Sequence, residues 1–361
     1  MPDRRLASAF TKRSNTASVT ATSVGILSTY PPTHCGLANF TASLRNGLLA
    51  DRPDMNVGVV RVGPDQASYP DTGVVYELAT DVQVDNRTAA RELNKFDVVV
   101  IQHEYGIYGG IDGDQVLDVL EWIRVPVIAV VHAVLSDPTP HQRFVLEMLT
   151  QSADAVVTMS ETGRRRLLDD YRVEPRKIML IPHGATVVAD HFTRAVEKGR
   201  RPVILTWGLL GPGKGIEWGI EALRAMRKMR PQPRYIVAGQ THPRVLAKDD
   251  DSYRDSLMEQ AEKLGVAHLV EFEPGYLSPE RLRQLVREAD VVLLPYDSRE
   301  QLTSGVLSEA IASLTPVVAT PFPHAAELLA AERSGLLVPH EDPTAIAEAL
   351  TRLLTDPALA E

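Results

Sequence analysis

The sequence predicts two doubly wound α/β domains, each built on a parallel sheet with helices on both faces. Three observations carry the prediction. At 361 residues the chain is longer than a single hydrophobic core usually organises, so two domains are expected. Short apolar runs alternate with helical stretches, as in sheets buried on both faces. That alternation runs twice, with a break of weaker periodicity and mixed charge near residues 187–200.

The elements follow in order. Residues 1–20 are basic and Ser/Thr-rich without the apolar run of a signal peptide, and read as a disordered tail. SVGILST from Ser23 is the first strand, and YPPTHCGLANF is a proline- and glycine-marked loop into the helical pattern LANFTASLRNGLL. MNVGVVRV, FDVVVIQ, VPVIAVVH, ADAVVTMS and KIMLIPHG are further strands, with helices such as RFVLEMLTQS between some of them. These make a domain over 21–186. After a linker at 187–200, a second domain over 201–361 brings PVILTWG, helix GIEWGIEALRAMRKM, RYIVAG, helix SYRDSLMEQAEKLG, VEFEPG, helix SPERLRQLVREA, DVVLLPY, helix GVLSEAIASL, PVVATP and helix TAIAEALTRLLTD. Two such domains are expected to face each other across a cleft, with ligands beyond the carboxyl ends of the strands.

Composition narrows the function. A formal net charge of -9 argues against a broad electrostatic grip on nucleic acid. One cysteine, Cys35, excludes an internal disulfide and a cysteine-rich metal site, and suits a cytoplasmic protein; its expected role is that of a small buried apolar residue. No apolar stretch is long enough to span a bilayer, which leaves only peripheral membrane contact. No Gly-x-Ser-x-Gly elbow supports a hydrolase triad. His103, His132 and His183 lack the spacing of metal ligands, so no metal is expected.

The strongest local signal is LTSGVLSEA. A helix starting near Thr303 or Ser304 would be capped by a hydroxyl. The backbone donors of Gly305, Val306 and Leu307 would then face an anion such as a diphosphate. Glu309, roughly one turn on, would accept from the vicinal hydroxyls of a ribose. A second signal is TWGLLGPGKGIEWG, where a glycine-rich turn after a strand leads to Lys214, a point charge able to reach a phosphate. It is neither a P-loop nor a Gly-x-Gly-x-x-Gly fingerprint. In the first half, Gly36, Leu37 and Ala38 follow the first strand and offer amides at a helix start. His103, Glu104, Tyr105, Gly109 and Gly110 follow another strand, and His132 a third.

With TSGVLSEAIASLTPVVAT, WGLLGPGKG, MSETGRRRL, KIMLIPHG and DVVLLPY in this order, the chain resembles a retaining GT-B glycosyltransferase of family four from Ser23 to about Asp356. The resemblance implies that the C-terminal domain holds a nucleotide-diphosphate sugar and that the acceptor enters mainly from the N-terminal domain. It implies that Glu309 holds the ribose and that Lys214 clamps the diphosphate. It places His132 by the transferred sugar, His103 to Gly110 along the same cleft, and Gly36 under the phosphates. Two positions depart from the family. Gln301 stands where the first of two glutamates is usual, with Glu300 just before it, and Leu209 stands where an arginine is usual. That charge is either missing or supplied from elsewhere, with Arg143 and Arg164 as the candidates. The activity implied is metal-independent transfer of a hexose, from GDP-mannose or UDP-glucose, to a hydroxyl on a saccharide, a lipid-linked or a small-molecule acceptor. A sugar-nucleotide epimerase or phosphorylase on the same scaffold, and a nucleotide-sugar-binding protein without catalysis, are the alternatives.

Overall fold

In the computed structural model, the described residues are 22–63, 73–80, 86–185, 199–242, 245–246, 251–332 and 334–360. The expected tail at 1–20, and all but the last two residues of the expected linker, lie outside them. The chain divides between Pro182 and His183 into two compact units.

The first unit holds a seven-stranded sheet: β1 Ser23–Ser28, β2 Asn56–Gly63, β3 Val74–Ala79, β4 Val98–His103, β5 Val127–Val131, β6 Ala155–Thr158 and β7 Ile178–Leu180. Its order is β3-β2-β1-β4-β5-β6-β7, and every pairing is parallel. The second unit holds β8 Val203–Trp207, β9 Arg234–Ala238, β10 Val270–Glu273, β11 Val291–Leu294, β12 Val317–Ala319 and β13 Gly335–Leu337, in the order β10-β9-β8-β11-β12-β13, again all parallel. Each sheet reverses its winding beside its first strand, between β1 and β4 and between β8 and β11. Such a switch point opens a crevice at the carboxyl ends of the strands.

The burial pattern explains why these runs form strands. In β1 five of six residues are buried, and in β8 and β11 all are. Strands covered on both faces read as continuous β-branched and leucine runs rather than as alternation. Several of the helices between them carry explicit caps. Thr139 and Gln142 form a capping box on helix Pro140–Ser152, Ser160 accepts from the Gly163 amide, and Ser278 accepts from the Arg281 amide.

Two sequence expectations change here. Cys35 is not a buried apolar residue. It is half-exposed and caps helix Gly36–Asp51, its Sγ accepting from the Ala38 amide at 3.3 Å. That bond engages one of the three amides expected to be free. His103, expected to line a cleft, is 0% exposed, with neither ring nitrogen hydrogen-bonded. It ends β4, whose last five residues are all buried because the sheet is covered on both faces, and its ring meets that of Tyr105 edge-on at 4.9 Å.

Candidate donor site of the second unit

The site is built where β8 and β11 end. After Trp207 the chain turns through Gly208–Gly215 and enters helix Ile216–Met226. After Leu294 it runs through Pro295–Ser304 and enters helix Gly305–Ala312. The two connections touch: a side chain added at Gly208 would meet a Val306 methyl at 3.7 Å.

Ser304 is the N-cap, and its Oγ accepts from the Leu307 amide at 3.2 Å. Leu307 is therefore already engaged, contrary to the expectation that its amide is free. The amides of Gly305 and Val306 have no acceptor among the described residues. They are the first donors of an eight-residue helix, aligned with its dipole. Thr303 does not cap. Its carbonyl accepts from Nε2 of Gln301, so the amide group of Gln301 is turned onto its own loop.

Sequence reasoning missed a second support of this helix. His324, in helix Pro323–Glu332, is 3% exposed, and its Nδ1 accepts from the Ser304 amide at 2.9 Å. Accepting at Nδ1 places the neutral ring's proton on Nε2. Burial, then the neighbouring His183, bring its pKa down to about 4 against a smaller opposing effect of Glu327. His183 lies against Gly305, with Cε1 and Nε2 at 3.4 and 3.5 Å from where a side chain there would begin. Its Nδ1 donates to the Gly184 carbonyl at 2.7 Å in the neutral ring, and burial lowers its pKa. An added methyl group at Gly305 would be tight against that ring. The only sequence signal for His324 was a histidine five residues after the end of β12, which many folds carry without consequence.

Glu309 is half-buried on the same helix. Burial raises its pKa, and a hydrogen bond from the Trp207 side chain opposes the rise. Trp207 ends β8 and is 4% exposed. Lys214 sits on the glycine-rich turn with its Nζ 4.2 Å from the centre of the Tyr296 ring. Leu209 is half-buried on the same turn and supplies no charge. Gly215 has φ +62, and a side chain there would run into the Pro295 carbonyl, so only glycine lets the turn seat this closely.

In the first unit the expected residues divide. The His132 Nε2 is 2.7 Å from Oε1 of the buried Gln102, and its ring meets Phe40 edge-on at 4.8 Å. Glu104 accepts from the Gly106 amide at 2.8 Å and so closes its own turn. Gly109 and Gly110 are turn residues: a side chain at the first would strike the Thr80 carbonyl, and at the second, with φ +80, Asp114. Gly36 opens its helix with nothing within 4 Å of its missing side chain. Neither arginine considered as a substitute charge is idle. Arg143 donates to the Asp170 carbonyl and lies over Tyr171 at 4.9 Å, and Arg164 pairs with Glu161 at 3.0 Å. Among the described residues no group of three His, Cys, Asp or Glu side chains is placed to hold a metal ion, and no helix is long and apolar enough to cross a membrane.

The family described as "Glycosyl transferases group 1" matches residues 189–361, and "Glycosyltransferase Family 4" matches residues 46–189. The chain belongs to the family 4/group 1 glycosyltransferases. Like them it has the GT-B fold, two Rossmann-like domains, and it acts on a nucleotide-diphosphate sugar. This glycosyltransferase is 29% identical over 346 residues to a D-inositol 3-phosphate glycosyltransferase of Acidothermus cellulolyticus, covering 89% of this chain and 74% of the relative. It is 30% identical over 239 residues to the protein of that name from Jonesia denitrificans, covering 62% of this chain but 54%, about half, of the relative. A crystal structure of Anabaena HepE in complex with UDP and glucose superposes with a TM-score of 0.73 over 94% of this chain and 91% of that one, at 16% identity. At that identity the likeness speaks for the fold.

Proposed function

We propose that this glycosyltransferase moves a hexose from a nucleoside-diphosphate sugar to a hydroxyl acceptor with retention of configuration, and that the second unit's site binds the donor. The observation that carries the reading is the helix start at Gly305. Two unengaged amides stand at a positive dipole end, with a half-buried carboxylate on the next turn. The diphosphate takes the amides of Gly305 and Val306 and the amine of Lys214, and the ribose hydroxyls donate to Glu309.

Breaking the bond between the anomeric carbon and the diphosphate leaves negative charge on the leaving oxygen and oxocarbenium character on the sugar. Lys214 and the two amides oppose the first charge. Preorganised donors of this kind contribute about 3 to 4 kcal/mol each to the transition state. His132, oriented by Gln102, is the first unit's candidate for contact with the sugar. No carboxylate is assigned as a nucleophile. The acceptor attacks from the face the leaving group departs, and a leaving-phosphate oxygen takes its proton.

UDP-glucose and GDP-mannose are the first donors to test. The names of the curated relatives recommend D-inositol 3-phosphate among the first acceptors. The test follows release of nucleoside diphosphate across a donor panel with mixed acceptors, with the anomeric configuration read by NMR. Acceptor-dependent release with a retained product is expected. Saturable binding of no nucleotide sugar and no nucleoside diphosphate would overturn the reading. Appearance of an isomerised free sugar would replace transfer with epimerisation.

A further inference from the structure

Lys214 is the one cation assigned to the diphosphate, and it rests on an aromatic ring instead of a carboxylate. Its Nζ is 4.2 Å from the centre of the Tyr296 ring, and among the described residues it has no acidic partner within salt-bridge distance. A lysine side chain has several free rotors, so an amine that must be ordered when the ligand arrives binds it more weakly than one ordered beforehand. We propose that Tyr296 is the positioning residue that holds Lys214 in its phosphate-binding pose, through the face of its ring and not through its hydroxyl. The proposal rests on the donor-site reading above.

The ring is a fixed support. Tyr296 is 1% exposed and stacks on Phe322 with ring centres 5.0 Å apart and planes 24° apart. Its carbonyl accepts from Nδ1 of His340 at 2.9 Å and from the Thr320 hydroxyl, which pins the main chain beneath it. The hydroxyl is buried with no hydrogen-bond partner, so it contributes no polar contact to the arrangement. The turn that carries Lys214 is fastened to the same short segment. The Asp297 amide donates to the Gly213 carbonyl at 3.0 Å, Nε1 of Trp218 donates to Oδ1 of Asp297 at 3.0 Å, and Gly215 is seated against the Pro295 carbonyl. Residues 295–297 thus hold both the backbone of the turn and the amine at the end of its side chain. A ring face attracts an ammonium without neutralising it. A carboxylate in the same place would compete with the diphosphate for the charge.

The experiment measures binding of UDP and GDP by calorimetry at fixed ionic strength, with folding checked by thermal melts. Tyr296→Phe keeps the ring and removes an unsatisfied hydroxyl, so affinity should equal the parent's and the melting temperature should hold or rise. Tyr296→Leu should weaken binding about two- to thirtyfold, the range a cation–ring contact spans. In a Lys214→Met background the same Tyr296→Leu change should add no further loss. If Tyr296→Leu fails to fold, fluorinated phenylalanines at position 296 keep the shape while draining the ring face, and affinity should fall stepwise with fluorine number. Equal losses with and without Lys214, a Phe variant as weak as the Leu variant, tighter binding by Tyr296→Leu, or a flat fluorine series would each overturn the proposal. Failure of the parent to bind either nucleotide would instead remove the donor-site reading, and this inference with it.

Discussion

The crevice ends of the two sheets are built from opposite materials. Beyond β8 and β11 the surface is mostly main chain: two free amides, glycine turns, and side chains such as His324, whose bond to the Ser304 amide holds the helix start in place. Beyond β4 and β5 it is mostly side chain. His103 is buried without a hydrogen-bonding partner for its ring, and Gln102 holds His132 through its carbonyl while its Nε2 has none. A diphosphate is common to every nucleoside-diphosphate sugar, and a main-chain cradle can serve it whatever side chains surround it. An acceptor varies between enzymes, and side chains are where such variation is written. The difference teaches that donor chemistry is legible here from local geometry, while acceptor chemistry is not.

The largest effect expected breaks the donor side alone. Lys214→Ala should lower the transfer rate a hundredfold or more, about 3 kcal/mol or above, as loss of one preorganised charge-stabilising donor does. Steady-state rates with a saturating acceptor check it. A rate within a few-fold of the parent's would place the phosphates elsewhere.

The next test sets the two ends against each other with acid. Folded His103 and His324 both titrate at about 4, brought down chiefly by burial, against 6.5 when unfolded. Between those values the unfolded chain binds more protons, so stability falls as pH drops from 6.5 toward 4. Each histidine accounts for a loss on the order of 3 kcal/mol by pH 4. His103→Leu and His324→Leu should each flatten the melting temperature's pH dependence over that window. Only His324→Leu should also weaken nucleotide binding, since only it supports the helix at Gly305. Equal nucleotide affinity in both variants would erase the distinction.

Glu309→Gln comes third. It should cost about 1.5 to 3 kcal/mol of nucleotide affinity, the worth of hydrogen bonds to a charged group. Burial raises the Glu309 pKa, so the ionised carboxylate destabilises the ligand-free fold above its unfolded pKa. The glutamine variant should therefore melt no lower than the parent at pH 7. Calorimetry and melting curves on one preparation read both effects.

The smallest effect concerns Gln301. Its Nε2 is committed to the Thr303 carbonyl, which leaves Oε1 to meet a sugar hydroxyl. Gln301→Ala should lower transfer by less than about tenfold and leave diphosphate binding alone. Gln301→Glu should change the ranking of donor sugars, since the site would lose its donor to Thr303 and gain a charge. Identical donor rankings for parent and both variants would remove Gln301 from the sugar.

Much of this architecture was readable from the sequence, for reasons that also explain the omissions. A parallel strand buried on both faces is a run of Val, Ile and Leu, and most of the thirteen strands among the described residues are legible that way; the edge strands β7 and β10, with no buried residue, are legible only from their short apolar stretches. The edge strands β3 and β13 were not legible. Only one residue of VVYELA is buried, and GLL is three residues long with none buried. Helices Asn86–Leu93, Gln115–Leu120 and Pro323–Glu332 were likewise passed over. The first two span eight and six residues, too short for a periodic stripe to stand out. At the proposed donor site the helix start was legible from spacing, and the same spacing proposes Lys214 and Glu309. What spacing does not reveal is which neighbour uses up a donor. Ser304 engages Leu307, and His324 and Trp207 arrive from distant segments. In the first unit a histidine at a strand end read as exposed, because the sequence does not show which way a terminal residue of a strand turns.

Cys35 gives the molecule a reporter at a single address. It is the only sulfhydryl in 361 residues, and its sulfur is tied to the Ala38 amide and lies 3.3 Å from the Thr29 hydroxyl. A maleimide dye must find that sulfur free of the cap, so the labelling rate becomes a clock for fraying of the first helical turn after β1. Because Gly36 follows immediately with open space around it, the same clock should slow when any ligand settles on that turn. The first unit thus carries its own screening signal for candidate ligands and needs no engineered label.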